Sequence, residues 1–236
     1  MRIRTSLCLI VWNELAGCRR DVPLLPRDFF DDVFAVDGGS TDGTVEYLES
    51  QSIPVFRQPE RGLNAAYHHA VAQSKSEAIV IFFPKGTLDP RCVIELARPI
   101  ADGVSLVIAS RNLGGAVNEE DRHFLRPRKW GVNVLSLFAS VVWRREGARI
   151  TDVLHGVKAF RKDAFLQMNI SHSGLTIDLE MVVRAYRLRL TRLEVPVREG
   201  ARIGGQTHFK ILPTAKRLAR FLMAELVYPP KLVRLW

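Results

Sequence analysis

The sequence predicts an α/β fold with a mainly parallel central sheet flanked by helices, and three observations predict it. Short apolar runs alternate with helix-length stretches throughout the first half. A glycine-rich, acidic turn follows one of those runs, at the strand-to-helix handover where parallel sheets collect ligands. The chain has 236 residues with 47% hydrophobic content, enough for one full core, so a single domain with two functional halves is favoured over two independent domains.

Taken in order, Ser6 to Val11 is a buried strand that ends at Val11-Trp12-Asn13-Glu14. Val33 to Val36 is the next, and Thr41 or Asp42 is placed to cap a helix from Thr44 to Gln51 with Val45 and Leu48 on its apolar side. In the turn between them, Gly38, Gly39 and Gly43 permit positive φ and close backbone approach. Asp37 offers an acceptor to base N–H groups or ribose hydroxyls. An ordinary Gly-Ser-Asp loop has the same composition, and a dinucleotide fingerprint would require glycine where Ser40 stands. Pro54 to Arg57, Ala78 to Phe83 and Ser105 to Ala109 continue the strands, with helices at Leu63 to Gln73 and Arg91 to Ile100. Asn13, Asp37 and the segment after Phe83 should therefore emerge at one edge of the sheet. The second half opens with an irregular charged stretch, Gly114 to Arg128, followed by a helix from Trp130 to Trp143. Its run from Gly131 is too short to span a bilayer and reads as a buried helix. Ile177 to Glu180 starts another helix with Met181, Val182 and Ala185 on its apolar side, and Thr191 to Val197 is a further strand.

The three cysteines, Cys8, Cys18 and Cys92, are odd in number and lack metal-ligand spacing, so neither a disulfide nor a structural zinc is expected. A polar Asn13-Glu14 interrupts the first apolar run before a signal-peptide core forms, and the expectation is a reduced, cytoplasmic protein without a transmembrane helix. The net charge is +9, and from Arg184 to Trp236 twelve Lys and Arg face three Asp and Glu, a field suited to anionic partners. Nucleic acid is not the expected partner, because no zinc-finger or RNA-recognition signature is present and aromatic residues are not interleaved with the basic ones.

Val11-Trp12-Asn13-Glu14 and Asp37-Gly38-Gly39-Ser40-Thr41-Asp42-Gly43-Thr44 resemble the Tyr-Asn-Glu-like strand end and the Asp-Asp-Gly-Ser-Thr-Asp-Gly-Thr-like turn of the family 2 glycosyltransferases. Asp152 to Arg161, Ile177 to Glu180, Glu194-Val195-Pro196-Val197 and Arg202 to Lys210 are similar to segments of the branch that includes dolichol-phosphate mannose synthases and polyprenyl-phosphate sugar transferases. The resemblance runs in order from Ser6 to Lys210. It implies a GT-A-like fold with a nucleotide-sugar half over residues 1–110, an acceptor and catalytic half over 111–210, and a basic amphipathic tail over 211–236.

The implied reaction moves a sugar from a nucleoside diphosphate to a hydroxyl or a polyprenyl phosphate, with inversion. The resemblance places Asn13, Glu14, Asp37, Gly39, Ser40, Asp42 and Asn64 at the donor, and Lys85, which departs from the family pattern, stands beside them as a further candidate donor ligand. On the acceptor side it makes Asp152 the leading catalytic candidate, followed by Asp178 and Glu180. Arg126, Arg128, Lys158, Arg161 and Arg202 become candidate phosphate and acceptor ligands. Asp178 also fits a plain helix N-terminal charge. In metal-dependent members the strand matching Ala78 to Phe83 ends in Asp-x-Asp. Here Phe83-Pro84-Lys85 offers no hard oxygen ligand, so no Mg²⁺ or Mn²⁺ is expected. Either Lys85 replaces the metal charge in a working enzyme, or the fold survives as a non-catalytic sugar-nucleotide or lipid-phosphate binding protein. Glu119, Glu120 and Asp121 form an acidic loop. In the tail, Leu218, Phe221, Leu222 and Leu226 follow helical spacing beside Lys216, Arg217 and Arg220. That pattern suits a helix lying on the anionic inner face of a membrane and equally one packed on its own domain.

Overall fold

The computed structural model describes residues 3–116, 127–201, 203 and 211–227. Seven strands form one sheet: β1 (Thr5–Val11), β2 (Asp32–Asp37), β3 (Val55–Arg57), β4 (Ala78–Phe82), β5 (Leu106–Ser110), β6 (Lys158–Arg161) and β7 (Arg192–Pro196). Their spatial order is β3-β2-β1-β4-β6-β5-β7, and every neighbouring pair is parallel except the two that involve β6. The mainly parallel sheet expected from the sequence is thus present, with one reversed strand in its middle.

Side-chain alternation explains why helices cover both faces. Along β1, Leu7, Leu9 and Val11 join one core cluster while Cys8 and Ile10 join the other, the period-two division of a strand buried on both sides. One face is covered by α1 (Leu15–Asp21), α2 (Thr44–Ser50) and α4 (Cys92–Ala101). The other carries α3 (Leu63–Gln73), α5 (Pro127–Trp143), α6 (Lys162–Met168), α7 (Ile177–Leu188) and α8 (Ile211–Val227). Each fully buried Val, Ile or Leu in these clusters contributes roughly 1.5–3 kcal/mol of burial.

One expectation changes, and for the tail helix one of the two alternatives is found. Helix α5 is buried on one side only: Val132, Ala139 and Trp143 face the core, whereas Val134, Leu137, Phe138 and Val141 face solvent. In α8, Leu218 and Leu222 are buried in the main core and Glu225 pairs with Arg184 and Arg187 of α7, so this part of the amphipathic face packs on the chain's own domain while Leu226 stays exposed. The last tail residues, including Lys231, Arg234 and Trp236, lie outside the described residues.

Candidate active site

Strand polarity builds the site. Val11 and Asp37 are in register at the carboxyl edge of the sheet, and β4 and β5 end at that edge too. Because β6 runs the other way, the segment that leads into it, Asp152 to Val157, arrives at the same edge. Ligands collect at this edge because several chain segments open there without a strand to follow.

The first-half turn is held by its own side chains. The Asp37 carboxylate accepts the amides of Gly39 (2.8 Å) and Ser40 (3.0 Å) and the Ser40 hydroxyl (2.5 Å). Asn13 donates its amide to Ser40 Oγ (2.8 Å) and accepts the Thr41 amide at Oδ1 (2.8 Å), itself in the left-handed region at φ 52°. Asp42 accepts the amides of Leu15 and Thr44, both at 3.1 Å, and thereby ties the starts of α1 and α2 together. Burial opposes ionisation of Asp42, but the hydrogen bonds from Thr44 and Leu15 hold its carboxyl below the usual range. Glu14 is buried and donates its amide to Thr44 Oγ1. Asn13, Glu14, Asp37, Gly39, Ser40 and Asp42 therefore form one braced surface, in which Asp37 and Asp42 shape the turn directly.

The loop after β4 is clamped by α1. A side chain at Gly17 would place its Cβ 2.1 Å from the Pro84 carbonyl oxygen, so only glycine lets the helix approach so closely. The Asp21 carboxylate accepts the Gly86 amide at 2.7 Å, and Arg20 donates to the Gly86 carbonyl. Burial pushes the Asp21 carboxyl up. Phe83 packs against the bare backbone of Gly156, and the Lys85 ammonium stands 4.7 Å from the centre of the Phe83 ring. Tyr67 of α3 supports Gly156 from below by donating its hydroxyl to that carbonyl at 2.7 Å.

A cavity of about 430 Å³ opens beside this loop. Lys85, Thr87, Arg111, His155, Asp178 and Glu199 supply its polar groups, and Leu63, Val132, Leu135, Leu154, Leu175 and Leu218 supply apolar walls. Asp178 begins α7, where its carboxylate pairs with Lys158. His155 is buried. Burial holds its imidazole down at about 4, against the opposing pull of Asp152. The Val157 amide donates to His155 Nδ1 at 3.2 Å, which assigns the proton of the neutral ring to Nε2.

The remaining candidate residues fall elsewhere. Asp152 is wholly buried and does not line the cavity; Arg111 grips both its oxygens (Nε to Oδ2 2.8 Å, Nη2 to Oδ1 2.9 Å) and reaches Glu199 at 3.0 Å with Nη1. Burial raises the Asp152 carboxyl, but Arg111 outweighs it and holds the group below its usual range. Glu180 is wholly buried among Asn64, Ser171, Thr176 and Arg184. The side-chain oxygen of Asn64 accepts the amides of Thr176 (3.0 Å) and Ile177 (3.1 Å), which makes Asn64 the cap of α7 instead of a donor ligand. Lys158 is fully buried between Asp178 and the His155 carbonyl, so it cannot gather phosphates; it positions Asp178. Arg161 is corrected most plainly. It ends the reversed strand in register with Ala78, at the sheet edge opposite the cavity, and pairs there with Asp163 at 2.9 Å. Arg126 and Arg202 lie outside the described residues, as do Glu119, Glu120, Asp121 and the side chain of Arg128. Arg111 and Glu199 had escaped the sequence motifs; the signal available was position, since Arg111 follows directly on β5 at the carboxyl edge. Among the described residues no group of three or more His, Cys, Asp or Glu is arranged to hold a metal ion.

A mainly parallel sheet with one reversed strand, carrying a braced glycine-rich turn and a charged cavity on one edge, defines a GT-A-like α/β fold. The chain belongs to glycosyl transferase family 2, whose family model matches residues 12–168. It is 26% identical over 194 residues to "Glycosyltransferase AglJ" of Haloferax volcanii, covering 81% of this chain and 62% of that protein. It is 24% identical over 195 residues to "Low-salt glycan biosynthesis hexosyltransferase Agl6" of the same organism, covering 80% and 45%. The chain thus spans about half to three fifths of the length of these relatives. Among solved structures it resembles glucosyl-3-phosphoglycerate synthase from Mycobacterium tuberculosis in complex with Mn²⁺ and UDP-glucose. That match has a TM-score of 0.68 and 19% identity over 97% of this chain and 80% of the other. The same enzyme with Mg²⁺ and UDP gives 0.66 and 18%, over 97% and 81%.

Proposed function

We propose that the chain transfers a sugar from a nucleoside diphosphate sugar to an acceptor held in the 430 Å³ cavity, with inversion and without a divalent metal. The observation that carries this reading is the convergence of Lys85, Arg111, His155 and Asp178 around one cavity, on the sheet edge that also bears the turn from Asp37 to Thr44. Family membership supplies the reaction class.

The neighbouring synthase structures contain Mn²⁺ or Mg²⁺ with their nucleotides. Among the described residues, those around the cavity do not fit such an ion. The position after β4 is filled by the Phe83 ring, and the next side chain to reach the cavity is an ammonium, whereas a hard divalent cation needs several oxygen ligands. Lys85 supplies positive charge to the departing diphosphate instead, and it can donate up to three hydrogen bonds. His155 Nε2–H adds a neutral donor. Asp178, with one oxygen gripped by Lys158, orients the acceptor and takes its proton where the acceptor is a hydroxyl. A polyprenyl phosphate acceptor is already anionic, and for it the carboxylate acts through positioning and the apolar cavity walls receive the first isoprene units. Asp152 acts through Arg111, which it orients.

The test is nucleoside diphosphate release across a panel of donors, with and without excess chelator. Turnover should persist in chelator and fall at least about tenfold in Lys85→Ala, the loss of roughly one charge-assisted contact. A strict Mn²⁺ or Mg²⁺ requirement would overturn metal independence. Binding of the nucleotide sugar without release under any condition would favour a non-catalytic binding protein.

A further inference from the structure

Helix α5 turns a continuous apolar stripe to solvent. Trp130, Val134, Leu137, Phe138 and Val141 recur at helical spacing over three turns and are 39% to 70% exposed, while Val132, Ser136, Ala139 and Trp143 face inward. Scattered exposed apolar residues are ordinary; five on one helix face are not. The surroundings are basic. From 127 to 149 the sequence holds Arg128, Lys129, Arg144, Arg145 and Arg149 against the single acid Glu146, and α5 itself has no acidic residue. Arg144, Arg145 and Arg149 are exposed at its C-terminal end.

The cavity lies between this helix and α8. Gly131, Val132 and Leu135 of α5 and Thr214, Ala215 and Leu218 of α8 line it. On its outer side α8 exposes Lys216, Arg217 and Arg220, followed by Met223, Leu226 and Val227. The cavity is thus bordered both by the helix that carries the apolar stripe and by the helix that carries these exposed cations.

We infer that the outer face of α5, with the basic residues at its end and on α8, docks the chain on an anionic lipid bilayer. The stripe enters the boundary between headgroups and acyl chains, and the cations meet the lipid phosphates. A second copy of the chain fits this face less well, because each copy carries a net charge of +9 and would bring the same cations to the rim. The docking stands apart from the catalytic reading. Its consequence, that a lipid-borne acceptor reaches the cavity between α5 and α8 without leaving the bilayer, rests on that reading.

The experiment is co-sedimentation of the 236-residue chain with vesicles, without nucleotide sugar, so that its failure is independent of the reaction. Phosphatidylcholine vesicles are compared with vesicles containing about one third phosphatidylglycerol, and the mass in solution is measured by light scattering. Recovery should be at least about tenfold greater on the anionic vesicles. It should fall at least about tenfold in the triple variant Val134→Ser, Leu137→Ser, Val141→Ser, whose positions face solvent and whose fold is checked by circular dichroism. Undiminished binding by the folded triple variant would overturn the assignment of the face. So would equal, negligible recovery on both vesicles. A dimer that the triple substitution dissociates would make the stripe a contact between copies and equally overturn the proposal.

Discussion

His155 shows how much a single buried side chain can report. With Nδ1 accepting the Val157 amide and burial holding its imidazole at about 4, it is neutral in the folded chain near neutral pH. Asp152, Arg111, Glu199 and Lys158 are the charges that act on it, and they do not restore the ordinary value of 6.5. Above that value both folded and unfolded chains carry the neutral ring and no pH dependence arises. Between 6.5 and about 4 the unfolded chain takes up a proton that the folded chain refuses, so stability falls as pH falls through this window. The total is about 3 kcal/mol. His155→Asn keeps an acceptor for Val157 and removes the titration. Its urea-unfolding free energy should therefore change less than the parent's between about pH 7.5 and about pH 4.5. Parallel pH profiles would assign the acid loss to other groups. The same neighbourhood marks where residue-scale legibility ended. Asp152 is visible in the sequence by resemblance, but its occupation by Arg111 is not, because the two are joined only when β5 and the approach to β6 reach the same edge.

At the scale of elements, the first five strands and their helices were legible because each buried strand is a short apolar run bounded by polar or turn residues. Helix α1 was not, since its seven residues contain Gly17 and a polar Arg19-Arg20-Asp21 end that serve the β4 loop instead of a periodic stripe. Strand β6 hid for another reason: Lys158, a charge in its first position, is buried only because Asp178 and the His155 carbonyl receive it. Apolar content alone likewise could not tell which side of α5 was covered. Asn64 makes the link between elements testable. It stands in α3 yet caps α7, donating also to the Ser171 carbonyl at 3.0 Å and to Glu180 at 3.1 Å. Asn64→Ala removes a cap and leaves buried partners unmatched, a loss of about 2–4 kcal/mol. Asn64→Asp keeps an acceptor for the Thr176 and Ile177 amides but sets a carboxylate against Glu180, so it should rescue little. Urea denaturation decides this, and a loss below about 1 kcal/mol in Asn64→Ala would mean that water or Thr176 replaces the clasp.

For the whole molecule, the reversal of β6 divides its basic residues into two populations that the sequence cannot separate. Lys158 and Arg161 are three positions apart on one strand, roughly 10 Å, yet one supports the cavity and the other sits toward the opposite sheet edge. Arg161 and Asp163 are partly exposed, and an ion pair of that kind contributes at most about 1 kcal/mol. Arg161→Ala should accordingly leave both stability and nucleoside diphosphate release close to the parent's. Arg111 is the opposite case, since its guanidinium holds the buried Asp152 through a two-point contact and Glu199 through a third. A lysine there keeps the charge but loses the fork. Arg111→Lys should unfold at lower urea, by roughly 1–3 kcal/mol, and the surviving folded protein should release nucleoside diphosphate at least about tenfold more slowly because the Asp152 pair no longer fixes one wall of the cavity. The comparison reads the polarity of the sheet directly. If Arg161→Ala impaired release as strongly as Arg111→Lys, the phosphates would have to reach the far edge of the sheet, and the cavity at the carboxyl edge would not be where transfer occurs.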